Sequence, residues 1–187
     1  MTIEFNIPTN LTLLRIALIP LLMVVFYLPW AYANIASTGI FIAAGLTDWL
    51  DGYLARKMQQ ETPFGAFLDP VADKLMVAFV LVLIVQQQPS PYLAVPAAII
   101  IGREITIASL REWMAELGQR AKVKVSVLGK WKTTAQMVAI GMLLYREDLL
   151  GLPINYIGIS LLYIAAILTL WSMIKYLNAA VNAIAEN

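Results

Sequence analysis

Residues 48–73 read DWLDGYLARKMQQETPFGAFLDPVAD. Four aspartates fall in this stretch, inside a chain whose composition is otherwise that of a membrane protein. Of 187 residues, 60% are hydrophobic and 13% are charged. A soluble domain carries about 45–50% apolar and about 25% charged residues. The surplus implies helix faces that never meet water. A net charge of +1 names no partner by bulk electrostatics, and no nucleic acid is expected. The absence of cysteine excludes disulfides, thiolate metal sites and thiol nucleophiles. The absence of histidine removes the commonest general base, so acid–base chemistry falls to carboxylates, lysine or tyrosine.

Apolar runs long enough to cross a bilayer, which takes about 20 residues, predict six helices over 11–30, 34–56, 65–87, 91–116, 130–146 and 154–177. Pro, Gly and polar clusters break them at LPWAYAN, QETPFG, QQQPSPY and REDLLGLP, and between Gly118 and Gly129. Pro8 and Thr9 read as the start of the first helix, and Asn178–Asn187 as a frayed tail. The opening MTIEFNIPTNLTLLRIALIP lacks the pattern of a signal peptide. The expected fold is all-α: one membrane domain, 1–187, of six transmembrane helices in a bundle. Lysine and arginine set its orientation. Arg56 and Lys57 follow the second helix, and Arg111, Arg120, Lys122, Lys124, Lys130 and Lys132 gather between the fourth and fifth. The other loops hold only Arg146, so both termini, with Arg15 and Lys175, are expected in the cytoplasm.

On a helix, Asp48, Asp51, Gly52, Ala55 and Arg56 form one stripe. Gly65, Asp69 and Asp73 form another, spaced four and four. Pro70 disfavours the helical region for the residue before it, which predicts Asp69 near an N-cap and Asp73 one turn inside. An ionised acid at the centre of a spanning helix costs about 2.5–3.5 kcal/mol, and Arg56 alone cannot neutralise four. Divalent cations can. Oxygen ligands without nitrogen or sulfur favour Mg²⁺, Mn²⁺ or Ca²⁺. Four carboxylates suit a pair of ions about 3.5–4 Å apart, the arrangement used for displacement at phosphorus.

Asp48-x₂-Asp51-Gly52-x₂-Ala55-Arg56-x₈-Gly65-x₃-Asp69-x₃-Asp73 resembles, at every fixed position, the signature of the CDP-alcohol phosphatidyltransferase family. The flanks NIPTNLTLLR, REITIASLREWMAELG and GKWKTTAQM resemble the bacterial branch that joins glycerol 3-phosphate to CDP-diacylglycerol. The resemblance implies two Mg²⁺ or Mn²⁺ ions on Asp48, Asp51, Asp69 and Asp73. Asp48 and Asp69 would touch both ions, Asp51 one and Asp73 the other, with Asp73 also the general base. It implies contacts to the CDP moiety from Gly52, Ala55 and Arg56, with Thr62 and the stretch Asn10 to Leu13 beside them, and room for the nucleotide at Gly65. It implies a homodimer in the cell (inner) membrane with its site facing the cytoplasm.

A phosphorylated acceptor needs a basic pocket. Arg103 lies within an apolar helix with Arg111 eight residues on, and Lys130 and Lys132 open the next. Arginine suits phosphate recognition, so Arg103, Arg111 and Lys130 or Lys132 are the expected acceptor-phosphate site. The plainer reading of Arg103 is an ion pair with Glu104 or Glu116. Lys57 reads as a surface anchor, Trp30, Trp113 and Trp171 as an interfacial belt, and Gly141 and Gly158 as packing glycines. Inositol phosphate or phosphatidylglycerol as acceptor is the alternative within the family. A divalent-cation transporter is the alternative outside it, disfavoured because the acids cluster at one side.

Overall fold

The computed structural model describes residues 6–58, 62–118 and 127–185. Six helices follow one another: α1 (Ile7–Tyr27), α2 (Ala33–Met58), α3 (Pro63–Gln87), α4 (Pro91–Glu116), α5 (Val127–Tyr145) and α6 (Ile154–Ala185). The all-α expectation holds, and every expected helix is found. Arg120, Lys122 and Lys124 lie outside the described residues. The chain divides into two compact units, Met1–Ile84 with Leu144–Glu147, and Val85–Leu143 with Asp148–Asn187.

In the first unit, α1 begins earlier than Pro8 and Thr9 suggested. Asn6 is the N-cap, its side chain accepting the Thr9 N–H at 2.9 Å, and Pro8 sits in the first turn, where a missing N–H costs nothing. Helix α1 packs along α2. Ile19, Leu22 and Phe26 of α1 are buried, as are Phe41 and Ala44 of α2 and Ala72, Met76, Val80 and Leu81 of α3. Leu14, Leu21, Val24, Ile42, Leu46, Phe67 and Val82 are exposed, an apolar exterior suited to lipid.

Helix α3 corrects the reading of Pro70. The helix starts at Pro63 and runs through Pro70, so Asp69 lies inside it and not at a cap. Thr62 is the residue that starts it: its hydroxyl accepts the Gly65 N–H at 3.0 Å and its carbonyl accepts from Ala66 at 3.0 Å. Two turns already formed ahead of Pro70 outweigh the loss of one donor. Proline is tolerated inside apolar helices of this kind, and Pro20 and Pro96 are also interior. At the other end of the unit, Arg146 donates to Asn34 Oδ1 at 3.3 Å and lies 6.0 Å from the Phe26 ring. That one basic residue is tied to the ends of α1 and α2.

In the second unit, α4 is capped by Ser90, with Pro91 opening the helix, and packs along α6. Helix α6 does not fray at Asn178. It continues to Ala185, because Tyr176 and Ala180 are buried, Ala180 together with Met114 of α4. Trp113 and Trp171 are exposed, as the belt reading expects, and Trp30 of the first unit is too. A tight turn joins α5 to α6: Leu149 and Leu152 exchange backbone hydrogen bonds of 3.2 and 2.9 Å across Leu150 and Gly151, both at positive φ.

Among the described residues, three stretches are long and apolar enough to cross a membrane: Thr9–Tyr27, Pro91–Glu116 and Ile154–Asn182. Helices α2 and α3, of 26 and 25 residues, have the length but carry acids at the ends where they adjoin.

The two glycines read as packing residues separate here. A Cβ on Gly158 would meet Leu143 Cγ at 3.0 Å and Met142 Cβ at 3.1 Å, whereas one on Gly141 meets nothing within 4 Å. Gly158 is the point where α5 and α6 approach closely, and Gly141 is not a packing glycine. Gly158→Ala is expected to cost about 1–3 kcal/mol by overpacking. Gly141→Ala is expected to be neutral or to gain up to about 1 kcal/mol of helix propensity. Thermal unfolding in detergent checks this, and equal midpoints for the two variants would contradict it.

Candidate active site

Helix α1 carries a polar stripe through an apolar span. Asn6, Thr9, Thr12 and Arg15 recur every third residue, and Thr9, Thr12 and Arg15 are each 1% exposed. Buried polar groups need partners. Those of Thr12 and Arg15 are the acids of α2 and α3. Arg15 Nη1 lies 2.7 Å from Asp48 Oδ1, and Nη2 donates to Asp51 Oδ2. Thr12 Oγ1 donates to Asp69 Oδ1 at 2.5 Å and, more weakly, to Asp51 Oδ2 at 3.4 Å. One face of α1 thereby gathers Asp48, Asp51 and Asp69. Thr9 Oγ1 and Thr62 Oγ1 meet at 3.2 Å one turn before Thr12.

The acids differ in environment. Asp51 is buried, Asp69 half-buried, and Asp48 and Asp73 exposed. Asp73 follows Asp69 by one turn of α3. Gly52 is half-buried and follows Asp51 on α2. Gly65 is buried, and a Cβ there would come within 3.0 Å of Thr62 Oγ1 and 3.2 Å of Thr9 Oγ1. Its missing side chain is what lets the two threonines meet. Asn10 is exposed and lies off the polar stripe. The side chains of Ala55 and Arg56 lie outside the described part of the structure. Lys57 is exposed with its ammonium 5.7 Å from the Tyr53 ring, in keeping with a surface anchor.

These residues fit a hard divalent cation by their chemistry. The donors are carboxylate oxygens, and one guanidinium among Asp48, Asp51 and Asp69 leaves negative charge uncompensated. Among the described residues no three acids yet converge on one point at ligating distance. Arg15 holds one oxygen of Asp48 and one of Asp51, and Thr12 holds one of Asp69 and that same oxygen of Asp51.

The second unit contains a separate polar cluster. Glu104 Oε1 accepts from Arg103 Nη1 at 2.6 Å and from Lys132 Nζ at 2.9 Å. Arg103 Nη2 donates to Ser172 at 3.3 Å. Arg111 donates to the Tyr176 hydroxyl at 3.3 Å, with its guanidinium 5.5 Å from that ring. Arg103 and Lys132 are thus brought together on one carboxylate. Arg111 stands apart on Tyr176, and the side chain of Lys130 is outside the described part. The plain reading of Arg103 as the partner of Glu104 is correct as a contact, and Lys132 joins the same pair.

Sequence reading does not single out Arg15 or Thr9 as site residues, and it includes Thr12 only within the stretch Asn10 to Leu13, not as a partner of the acids. In the sequence Arg15 bears only on orientation. The signal was present in the three-residue spacing of polar side chains across an apolar run. Ser172 and Tyr176, four apart on α6, were missed with less excuse in the sequence, since only their packing against α4 marks them.

The family model for CDP-alcohol phosphatidyltransferase matches residues 5–171. The chain belongs to the CDP-alcohol phosphatidyltransferase family. Similar curated relatives carry the name CDP-diacylglycerol–glycerol-3-phosphate 3-phosphatidyltransferase. That of Haemophilus influenzae is 57% identical over 98% of this chain and 98% of its own length. That of Salmonella choleraesuis is 57% identical over 95% of this chain and 96% of its own, and one from Shigella flexneri is 55% identical over the same shares. Family membership sets aside the transporter alternative and accounts for the signature acids as a set. Members of this family generally depend on a divalent metal.

The Thr62 cap gives a local test of the α1–α3 junction. Thr62→Val removes both the cap and the Thr9 contact and is expected to cost about 1–2 kcal/mol, with Thr62→Ser costing less. Gly65→Ala, normally favoured in a helix, is expected to destabilise by pushing the two hydroxyls apart. Thermal unfolding of the three variants measures this, and a stabilised Gly65→Ala would contradict it.

Proposed function

We propose that this protein transfers the phosphatidyl group of CDP-diacylglycerol to glycerol 3-phosphate, giving phosphatidylglycerophosphate and CMP. One observation carries the reading: the signature acids Asp48, Asp51 and Asp69 meet on one buried face of α1, in a chain so close along its length to enzymes named for that reaction. The acceptor hydroxyl attacks the lipid-bearing phosphorus. A new P–O bond forms, the bond to the CMP phosphate breaks, and CMP leaves with that electron pair. Asp73, exposed one turn beyond Asp69, takes the hydroxyl proton. Asp48, Asp51, Asp69 and Asp73 hold two divalent ions, Mg²⁺ or Mn²⁺. When bound, these neutralise the diphosphate and acidify the acceptor hydroxyl. Gly52, Ala55, Arg56, Thr62, Gly65 and Asn10 contact the CDP moiety.

Arg103, Lys132, Arg111 and Lys130 bind the acceptor phosphate. The meeting of Arg103 and Lys132 on Glu104, within apolar helices, supports this role. All six helices cross the inner membrane as a single catalytic domain, both termini and the site face the cytoplasm, and the protein works as a homodimer. The exposed apolar side chains of α1 and α6 support the membrane setting.

CMP release by purified protein in detergent, with CDP-diacylglycerol and Mg²⁺, tests the reaction when acceptors are offered singly. Release is expected with glycerol 3-phosphate, is expected to stop with chelator, and is expected to fall about 10²–10⁴-fold in Asp73→Asn. Release only with inositol phosphate or phosphatidylglycerol would overturn the acceptor. In the same assay, Arg103→Gln is expected to raise KM for glycerol 3-phosphate more than KM for CDP-diacylglycerol. Equal effects on both would remove Arg103 from the acceptor site.

A further inference from the structure

Arg15 is among the largest fully buried side chains, and it lies in a stretch apolar enough to span a membrane. Its two terminal nitrogens go to different acids, one to Asp48 Oδ1 and the other to Asp51 Oδ2. Nη2 is hydrogen-bonded to Asp51, Nη1 meets Asp48 as an ion pair without a hydrogen bond, and Nε has no hydrogen-bond partner among the described residues. The guanidinium is therefore seated on these two carboxylates. Leaving them would strand a charge in an apolar interior. Each carboxylate has two oxygens, so a guanidinium holding one oxygen of each can remain while the others face a metal ion.

Asp48 and Asp51 are three residues apart on α2, on one face, and each side chain has two torsions to be set. Only a planar fork can fix both at once. Lysine, a single point charge, can satisfy one or the other but cannot set the angle between them.

We infer that Arg15 is a positioning residue that orients Asp48 and Asp51 for cation binding and stays in place when the cation is bound. This rests on the reading of the acids as cation ligands. It gives α1 a part in the site beyond its signature helices. The role is that of an outer partner, whose loss typically weakens metal binding about 10–100-fold.

The test is Mn²⁺ binding to purified protein in detergent, read as loss of the free-ion EPR signal, beside thermal midpoints in chelator. Arg15→Lys keeps the charge and removes the fork. It is expected to keep a midpoint in chelator close to that of the unaltered protein while binding Mn²⁺ about tenfold more weakly. Arg15→Gln, where it folds, is expected to bind at least as poorly as Arg15→Lys and to lower the midpoint as well. Arg15→Lys binding Mn²⁺ as tightly as the unaltered protein, or more tightly, would overturn the inference, the second result making Arg15 a competitor of the metal. Asp51→Asn is the control, expected to bind Mn²⁺ poorly whatever Arg15 does. An unaltered protein that takes up no Mn²⁺ would overturn the metal reading itself, a result distinct from equal binding in both proteins.

Discussion

A carboxylate inside an apolar helix bundle has to be met by a cation or a donor, and in the first unit that requirement is met from α1. Asp51 is nearly sealed from solvent, and Arg15 and Thr12 reach it from the same helix face. Breaking one partner out of a buried ion pair costs about 3–5 kcal/mol, so the register of α1 against α2 is pinned by this contact. The start of α3 is then pinned by the same face, through Thr12 to Asp69 and Thr9 to Thr62. Three helices meet around charge, with their apolar side chains packed behind it and others turned outward.

Much of this was legible in the residues. The helices follow from runs of apolar side chains, which in a membrane protein need no amphipathic pattern to be seen. The acids were legible because their spacing puts them in pairs on helix faces, and the family signature named them as a set. What sequence misjudged were the decisions that a neighbour makes. Pro70 argued for a helix start because the residue before a proline avoids the helical region, yet Thr62 had already begun the helix. Gly141 and Gly158 look alike in sequence, and only Leu143 and Met142 tell them apart. Arg15 looked like one more positive residue near a terminus until the acids closed over it. The tail from Asn178 reads as frayed in the sequence, and the burial of Ala180 with Met114 is what holds it.

The second unit answers a different electrostatic problem. A single carboxylate, Glu104, is met by two cations, Arg103 and Lys132. Charged side chains within apolar helices are expensive, and such clusters mark functional sites by default.

The central claim is that the acids of α2 and α3 hold a divalent ion against a diphosphate. Mn²⁺ loaded into the purified protein with CDP-diacylglycerol would report this directly by ³¹P electron–nuclear double resonance. A phosphorus coupling to the bound ion, absent in Asp51→Asn, is the result the account predicts. A protein that binds both Mn²⁺ and CDP-diacylglycerol yet shows no phosphorus coupling would contradict it.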